Sequence, residues 1–438
     1  MFYLQPCRLF ARLVFGTLLL AAIGSTVLAA EPAGRHLPAS RKRVPEVAAV
    51  VTAYYHNSHA DVIVSRLLQS MTLDGKGEHP SLKLVSLYVD QPQSSAVGLE
   101  IAKENHIPIY RTVTGALTRG GSTLAVDGVL LIGEHGSYPL SKTRQVTFPK
   151  RRLFSEILEV FDHSGRIVPV YTDKHLSDNW EDAKWLYDSA RRRDIPLMAG
   201  SSLPVTWRYP PVDVPRGARI SEIAVTTFGG LEAYGFHGLE IIQCLAERRA
   251  GGETGVRSVQ TLTGDQIWDA ARHGRFNVSL LETALSRRRH HLAGPAKGNG
   301  RELHLEGDLV NPVVVLVNYR DGLRATMLYA DNLGQWTAAW READTNRVES
   351  TLFWTQEARP FMHFTYLLKG IEQMIVTGKP AWPVERTLYT TGILNAFFRS
   401  KQAGGRAIQT SWLDIHYHCD HDWQQPPAPP PGRPIPGQ

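Results

Sequence analysis

Short apolar runs alternate with amphipathic segments through the first half of the chain. Residues 46–54 are mostly valine and alanine, as expected of a strand buried on both faces. Further runs of this kind predict strands at 82–89, 107–110, 126–132, 166–171 and 195–200, and helical spacing predicts helices at 60–70, 96–105, 154–163 and 178–193. Strands and helices that alternate in this way predict an α/β fold with a parallel sheet covered on both faces.

The pattern changes after residue 200. Helical spacing at 239–249 is followed by longer alternating segments at 301–310 and 313–322, and a turn is predicted at 331–334. Two further helices are predicted at 363–376 and 384–400. We therefore expect two domains, an N-terminal one over 46–200 and an α+β domain with a largely antiparallel sheet over 201–423.

Both ends of the chain are predicted to lie outside these domains. Arg8 and Arg12 precede an apolar run at 13–23 that is too short to cross a bilayer, and Val27-Leu28-Ala29 offers small residues for cleavage. Residues 1–30 are thus interpreted as a general-secretion signal peptide, which predicts a periplasmic or secreted protein without a stable membrane anchor. Residues 31–45 resemble a linker, and 424–438 form a proline-rich tail expected to be disordered or extended.

Charge and cysteine content narrow the possible functions. The 438 residues carry a formal charge of only +6. Short basic clusters such as Lys150-Arg151-Arg152 are typical of solvated surface, and no nucleic-acid motif accompanies them, so a nucleic-acid partner is not expected. Cys7 belongs to the signal segment, and the two remaining cysteines do not form a disulfide framework. Cys244 lies in an apolar helix and is expected to be a small core residue.

Ligands of parallel sheets bind at the carboxyl ends of the strands, and this rule selects candidate residues. Glu134 and His135 follow a predicted strand between two glycines and are expected to be exposed at the crevice. Asp173, Lys174 and His175 follow another strand, where a lysine could polarise or protonate a carbonyl or hydroxyl. The remaining candidates for cofactor or ligand binding at this edge are Tyr54, Tyr55, His56, Asn57, Ser58, His59 and Asp90.

Three segments resemble the glucose-fructose oxidoreductase/inositol dehydrogenase (Gfo/Idh/MocA) family. Residues 170–200 are similar to its Glu-Lys-Pro segment, 230–243 to its second-domain motif, and 361–400 to its closing helices. The resemblance implies a Rossmann-like parallel sheet, an NAD or NADP cofactor and a carbohydrate or polyol substrate. It also implies that a homo-oligomer is plausible through the exposed face of the second sheet.

The resemblance also assigns residue roles. Lys174 matches the lysine that contacts substrate near the nicotinamide, with Asp173 in place of Glu and His175 in place of Pro. His237 matches the motif histidine, and Glu240 lies one helical turn later. The family's catalytic Asp corresponds to Ala233; Glu232 is one residue away and, on a helix or turn, would point elsewhere.

The glycine-rich loop of dinucleotide-binding domains is missing. Its place is taken by residues 53–58, Ala-Tyr-Tyr-His-Asn-Ser, which contain no glycine. The family's glycines let the pyrophosphate approach a helix N-terminus without obstruction by a Cβ atom. The helix N-terminus can still attract an anion, and Asp90 lies where a ribose-binding carboxylate is expected.

A possible metal site lies near the C-terminus. In an extended segment His416, His418 and Asp420 would share one side, which suits zinc or another transition metal. The alternative is that this segment is an ordinary last strand.

Three functional hypotheses remain open. The chain is an NAD(P)-dependent sugar or polyol oxidoreductase with atypical cofactor binding, a non-redox carbohydrate-active enzyme such as a lyase or hydrolase, or a non-catalytic sugar-binding protein. Export and the missing glycines weigh against the dinucleotide.

Overall fold

The computed structural model of the protein describes residues 43–288, 305–356 and 358–427. Its first sheet is entirely parallel, with strand order β3-β2-β1-β4-β5-β6. The strands are β1 Glu46–Val51, β2 Lys83–Val89, β3 Ile109–Tyr110, β4 Gly128–Ile132, β5 Val170–Asp173 and β6 Leu197–Gly200. Because the order reverses between β1 and β4, the carboxyl ends of these two strands border the crevice in which such sheets bind ligands. The predicted α/β class is confirmed.

Five helices cover this sheet: α1 His59–Leu68, α2 Ala96–Glu104, α3 Val113–Thr118, α4 Lys150–Ser164 and α5 Trp180–Arg191. Helix α3 was not predicted, because six residues are too few to show a helical period. Asn179 caps α5, and its side chain accepts a hydrogen bond from the backbone of Asp182.

The second sheet has eight strands in the order β14-β9-β10-β11-β8-β12-β13-β7, and all pairs except β8–β11 are antiparallel. They are β7 Trp207–Tyr209, β8 Ile220–Thr227, β9 Val256–Thr263, β10 Val313–Tyr319, β11 Arg324–Tyr329, β12 Trp336–Glu342, β13 Val348–Trp354 and β14 Ile408–Gln409. The largely antiparallel sheet is thus confirmed. The predicted turn joins β11 to β12, but β8 lies between these two strands in the sheet.

Alternating residues of the second sheet face two separate layers. Val313, Val315 and Val317 pack with α6 Ala233–Ala246 and α11 Glu385–Gln402. Val314 and Leu316 pack with α7 Asp265–Arg272, α8 Val278–Leu285 and the short segment α9 Leu305–Asp308. The expectation that the second face is exposed for oligomer contacts is therefore wrong, because helices of the same chain cover it; the homo-oligomer itself stays a prediction. Residues 305–308 are also not the strand that alternation suggested, and 301–304 lie outside the described residues.

The C-terminal half also contributes to the first sheet's core. Helix α10 His363–Thr377 places Leu367, Ile371 and Met374 against residues of β1 and β4. Cys244 is buried in the second core, as expected, and is a free thiol.

The start of the proline-rich tail is attached to the second sheet. The indole of Trp207 donates to the carbonyl of Pro427 over 2.8 Å, and the backbone of Arg208 donates to Gln425 over 3.0 Å. Residues 424–427 are therefore held in place and have no helix or strand, as in the extended alternative of the prediction. The rest of the tail lies outside the described residues. So do the predicted signal peptide and nearly all of the predicted linker. Among the described helices, none combines the length and apolarity needed to cross a membrane.

We predict that Gly98→Ala destabilises the protein by about 1–3 kcal/mol, because overpacking outweighs the better helix propensity of alanine. A Cβ atom at Gly98 of α2 would lie 2.4 Å from the ring of Tyr54, which is fully buried. Gly230→Ala is the matched control, since a Cβ atom there meets nothing within 4 Å. Urea denaturation measures both variants, and equal stabilities would contradict the packing described here.

Candidate active site

A buried ion pair lies at the carboxyl ends of β4 and β5. Lys150, the first residue of α4, is fully buried, and its ammonium donates to the carboxylate of Glu134. It also donates to the carbonyl oxygens of Asp173, over 2.8 Å, and of His175. The expectations that Lys150 is solvated surface and that Glu134 is exposed are both wrong. Gly133 leaves room for the lysine stem, since a Cβ atom there would lie 3.1 Å from Lys150 Cγ.

Lys174 brings a second cation to the same carboxylate. Its Nζ lies 3.4 Å from Glu134 Oε2, and its backbone has a positive φ of 48°. Such a left-handed conformation is costly for a lysine and fixes the direction of its side chain. Burial alone would raise the pKa of Glu134, but the charges of Lys150, His175 and Lys174 hold it well below its ordinary value. The carboxylate of Glu134 is therefore ionised. Of its two lysine partners, Lys174 is the one that borders the crevice, since its side chain is 6% exposed and that of Lys150 is fully buried.

A histidine–aspartate pair joins the first and fifth strands. His59 Nδ1 lies 2.5 Å from Asp173 Oδ2, and the hydroxyl of Tyr171 donates to the other oxygen over 3.3 Å. Asp173 is buried, whereas the side chain of His59 is 14% exposed. A carboxylate at Nδ1 fixes the tautomer and leaves Nε2 as the nitrogen available to a ligand. This is the arrangement of a histidine base oriented by an aspartate.

Two further histidines are neutral and incompletely hydrogen-bonded. His135 Nδ1 lies 2.8 Å from the hydroxyl of Tyr55, and burial together with the charges of His59 and Lys174 lowers the pKa of His135 to about 2. Burial also holds the pKa of His237 well below its ordinary value, with the charges of Lys174 and His59 acting in the same direction. Neither His135 Nε2 nor His237 Nδ1 has a hydrogen-bond partner among the described residues. Buried polar atoms are seldom left unpaired, so these two nitrogens suit a polar ligand.

His175 and Glu240 are engaged within the protein. His175 lies between two carboxylates, with Nδ1 3.7 Å from Glu134 and Nε2 3.9 Å from Glu232, and burial lowers the pKa of the ring to about 4. Glu240 accepts hydrogen bonds from Thr390, over 2.8 Å, and Thr387, over 3.2 Å. This carboxylate fastens α6 to α11, and the predicted catalytic role of Glu240 stays a prediction.

The loop after β1 does not present the anion site expected of a dinucleotide fold. The backbone of Asn57 donates to the carboxylate of Asp61 over 2.8 Å, and Asp61 pairs with Arg359 over 2.6 Å. The loop amide just before the N-cap of α1 thus already has an anion from the same chain. Ser58 is the N-cap of α1 and accepts from the backbone of Asp61.

Tyr54 and His56 also depart from the predicted cofactor-binding set. Tyr54 is buried, with its hydroxyl 2.6 Å from that of Ser65, so it packs beneath the loop instead of lining the cleft. The side chain of His56 is 53% exposed and lies 3.9 Å from Asp61.

The position expected to bind a ribose is occupied as well. Asp90 accepts hydrogen bonds from Tyr88 over 2.7 Å, from Tyr138 over 2.8 Å and from Arg152 over 2.5 Å. These contacts lower its pKa against the opposing effect of burial. A carboxylate with three donors has little capacity left for ribose hydroxyls.

The residues present therefore do not fit a dinucleotide bound in the usual way. Asp61 binds Arg359 and the loop amide before α1, and Asp90 already accepts three hydrogen bonds. Tyr55 and His135 join the loops after β1 and β4 across the crevice itself, and the His135 and His59 rings lie 5.0 Å apart. We derive no step through a dinucleotide.

The predicted metal site gains no support. His416, His418 and Asp420 do alternate with buried Tyr417 and Cys419. However, an extended segment rises about 3.3 Å per residue, so the first and third ligands are ~13 Å apart, too far for bonds of about 2 Å to one ion. His416 instead lies 3.0 Å from Asp414. In the parts of the chain that the structure describes, no three His, Cys, Asp or Glu side chains could hold a metal ion.

Comparison with known proteins identifies the class of fold. No protein-family model and no curated protein matches the sequence. GenD2 from gentamicin A biosynthesis, in complex with NAD, is 14% identical over 86% of this chain and 99% of its own, with a TM-score of 0.54. Apo scyllo-inositol dehydrogenase from Lactobacillus casei is 10% identical over 85% of this chain and 100% of its own, with a TM-score of 0.52.

Myo-inositol dehydrogenase from Lactobacillus casei, in complex with NAD(H) and myo-inositol, is 10% identical over 84% of this chain and 97% of its own, with a TM-score of 0.51. These likenesses establish the fold. The chain has the fold of the Gfo/Idh/MocA proteins, as the resemblance of its three segments predicted.

Sequence reasoning missed two members of the site. The run Lys150-Arg151-Arg152 favoured solvated surface, and the helix was predicted to begin only at residue 154, so no local signal marked Lys150 as buried. Glu232 was set aside because it is one residue from the expected position, yet its carboxylate lies beside His175.

We predict that Glu134→Gln lowers the free energy of unfolding by about 3–5 kcal/mol, because it leaves the buried ammonium of Lys150 without a counter-charge. The double variant Glu134→Gln/Lys150→Met should lose less, since one uncompensated cation is removed. Chemical denaturation measures both, with Glu100→Gln on the exposed surface as the control. If Glu134→Gln were as stable as the wild type, this account of the ion pair would be ruled out.

Proposed function

We propose that the protein binds a carbohydrate or polyol at the carboxyl edge of its parallel sheet and catalyses a non-redox acid–base reaction on it without a dinucleotide. The observation that carries this proposal is the oriented pair His59–Asp173 beside Lys174 and two unpaired imidazole nitrogens. These groups can transfer protons and bind hydroxyls. In contrast, Asp61 in the loop region expected to hold phosphate, and Asp90 at the position expected to bind ribose, are already paired within the chain.

His59 is the proposed general base. Asp173 holds Nδ1, so Nε2 accepts a proton from the substrate and Asp173 stabilises the imidazolium that results. Lys174 is the proposed electrostatic partner, whose ammonium stabilises negative charge that develops on a substrate oxygen. An elimination of water from a ketose or sugar acid is one reaction that these groups support. His59 takes the proton from the carbon next to the carbonyl, and the electron pair forms an enolate whose oxygen lies beside Lys174. When that pair returns to form the C=C bond, the β-hydroxyl leaves as water with the proton carried by His59.

His135 and His237 are the proposed hydroxyl-binding residues. A neutral imidazole carries one donor and one acceptor nitrogen, which matches a hydroxyl group that can do both. Trp336 and Tyr234 pack around His237, with ring centroids 5.8 and 5.7 Å from it. One structural neighbour is a complex with NAD(H) and myo-inositol, so this fold accommodates a polyol in that protein.

Export is part of the proposal. The sequence of residues 1–30 favours general secretion, and a chain that crosses a membrane unfolded cannot carry a bound dinucleotide with it. A site independent of NAD(P) is consistent with that route.

We predict that neither NAD nor NADP stabilises the purified protein, whereas at least one member of a panel of sugars, polyols and sugar acids raises its melting temperature. Native mass spectrometry and thermal-shift measurements check both statements. A dinucleotide that copurifies or binds would overturn the proposed independence from NAD(P). A panel that contains no ligand, widened to oligosaccharides, would count against the carbohydrate.

Asp173→Asn and Lys174→Ala are expected to lower turnover of the sugar identified in that panel by at least ~10²-fold, the scale of one general acid–base group. Lys184→Ala, which removes an exposed lysine of α5 paired with Asp188, should retain full activity. Turnover is measured by mass spectrometry of the sugar, and circular dichroism confirms folding. If the wild type binds the sugar without converting it, the protein is a sugar-binding protein and the proposed catalytic activity is wrong.

A further inference from the structure

Residues 136–148 form a strap that connects both halves of the molecule. At one end Ser137 exchanges two hydrogen bonds with Gln91, of 2.8 and 2.9 Å. At the other end the backbone N–H of Val146 donates to both carboxylate oxygens of Glu232, over 3.2 and 3.1 Å. Gln402 of α11 donates to the carbonyl of Lys142 over 3.1 Å. The strap thus runs from the end of β2 to the beginning of α6.

The strap borders the candidate site. It starts after His135 and leads into Lys150, and the ring of Phe148 lies 6.5 Å from that of His175. Within the strap, Leu140 pairs with Val146. A displacement of the strap would therefore alter access to the site and the packing around His175.

The strap is attached to the C-terminal half of the molecule through one ionisable side chain, the carboxylate of Glu232 that binds Val146. The groups that face it are His175, with Nε2 3.9 Å away, and the carboxylates of Glu134 and Asp178. Burial and these two negative charges raise the pKa of Glu232 to about 7, against the opposing effects of the Val146 N–H and the Gln145 side chain. Ionisation of Glu232 near neutral pH therefore adds a negative charge in a partly buried site, beside Asp178 and beside Glu134, whose own charge is countered by Lys150 and Lys174.

We propose that Glu232 is a proton-controlled positioning residue, which holds the strap closed over the site when protonated and loosens it when ionised. The contact to Val146 survives protonation, because the carbonyl oxygen of a carboxylic acid still accepts an N–H. Ionisation adds two unfavourable effects: repulsion from Glu134 and Asp178, and a charged carboxylate that is kept away from water. Both are relieved when the strap opens and water reaches Glu232.

The thermodynamic linkage between proton binding to Glu232 and docking of the strap fixes how docking changes with pH. A released, hydrated carboxyl titrates near its ordinary value of 4.5, whereas the docked group has a pKa of about 7. The docked strap therefore binds more protons than the released strap between these values. Docking is strongest at acidic pH, weakens as the pH rises through this interval and levels off above it. The latch itself does not depend on the proposed reaction; only its effect on catalysis rests on the proposed function.

Amide hydrogen exchange of the unliganded full-length protein tests the latch without any substrate. Exchange of Val146 and its strap neighbours is measured by mass spectrometry from pH 5.5 to 8.5 and corrected with a synthetic peptide of residues 136–148. Protection of the strap is expected to fall by about 10-fold or more between pH 5.5 and 8.5, since a difference of one pKa unit corresponds to a factor of ten. In Glu232→Gln, whose amide oxygen still accepts from Val146, protection should not vary with pH.

Two further variants make the outcome decisive. Glu159→Gln removes an exposed carboxylate of α4 and should retain the wild-type profile. Gln402→Ala removes the contact to Lys142 and should lower protection at every pH without moving the pH near 7 at which the profile levels off. A flat profile in the wild type, protection that rises with pH, or an unchanged slope in Glu232→Gln would each overturn the proposal. Failure of the proposed sugar chemistry would leave this result unchanged.

Discussion

The buried pair of Lys150 and Glu134 is the interaction on which the candidate site depends. Two charges removed from water are costly unless every donor and acceptor is satisfied, and here the ammonium also reaches the carbonyls of Asp173 and His175. One side chain of α4 thereby fixes the ends of β4 and β5 relative to each other. The left-handed turn at Lys174 lies between these two carbonyls, and Asp173 is also the residue that pairs with His59.

The same fold that holds NAD in structural neighbours is satisfied here by its own residues. Asp61 pairs with Arg359, and Asp90 accepts from Arg152, Tyr88 and Tyr138, in the loops where a dinucleotide would be expected. A dinucleotide that used either carboxylate would have to break these contacts. Under the proposed function, architecture and cofactor have separated in this chain, which is physically reasonable because the fold is maintained by its cores and the chemistry by its loops.

The candidate site was only partly predictable from the sequence. Strand ends identified Asp173, Lys174, Glu134 and His135, because the carboxyl ends of parallel strands share one edge. The pairing of His59 with Asp173, which are 114 residues apart, could not be predicted, since nothing local links them. The burial of Lys150 could not be predicted for a related reason: composition and helical spacing do not show whether a charged group is solvated or has a buried partner.

The sequence by itself determined the order and type of the principal elements, because a strand buried on both faces and an amphipathic helix each leave a local hydrophobic period. It also determined that no glycine is available for a dinucleotide loop. Only the tertiary structure decided which polar side chains meet, which carboxylates already have partners, and that α7 and α8 cover the second sheet. Those outcomes depend on contacts between residues far apart in the chain, and their free energies are set by burial and by the charges that packing brings together.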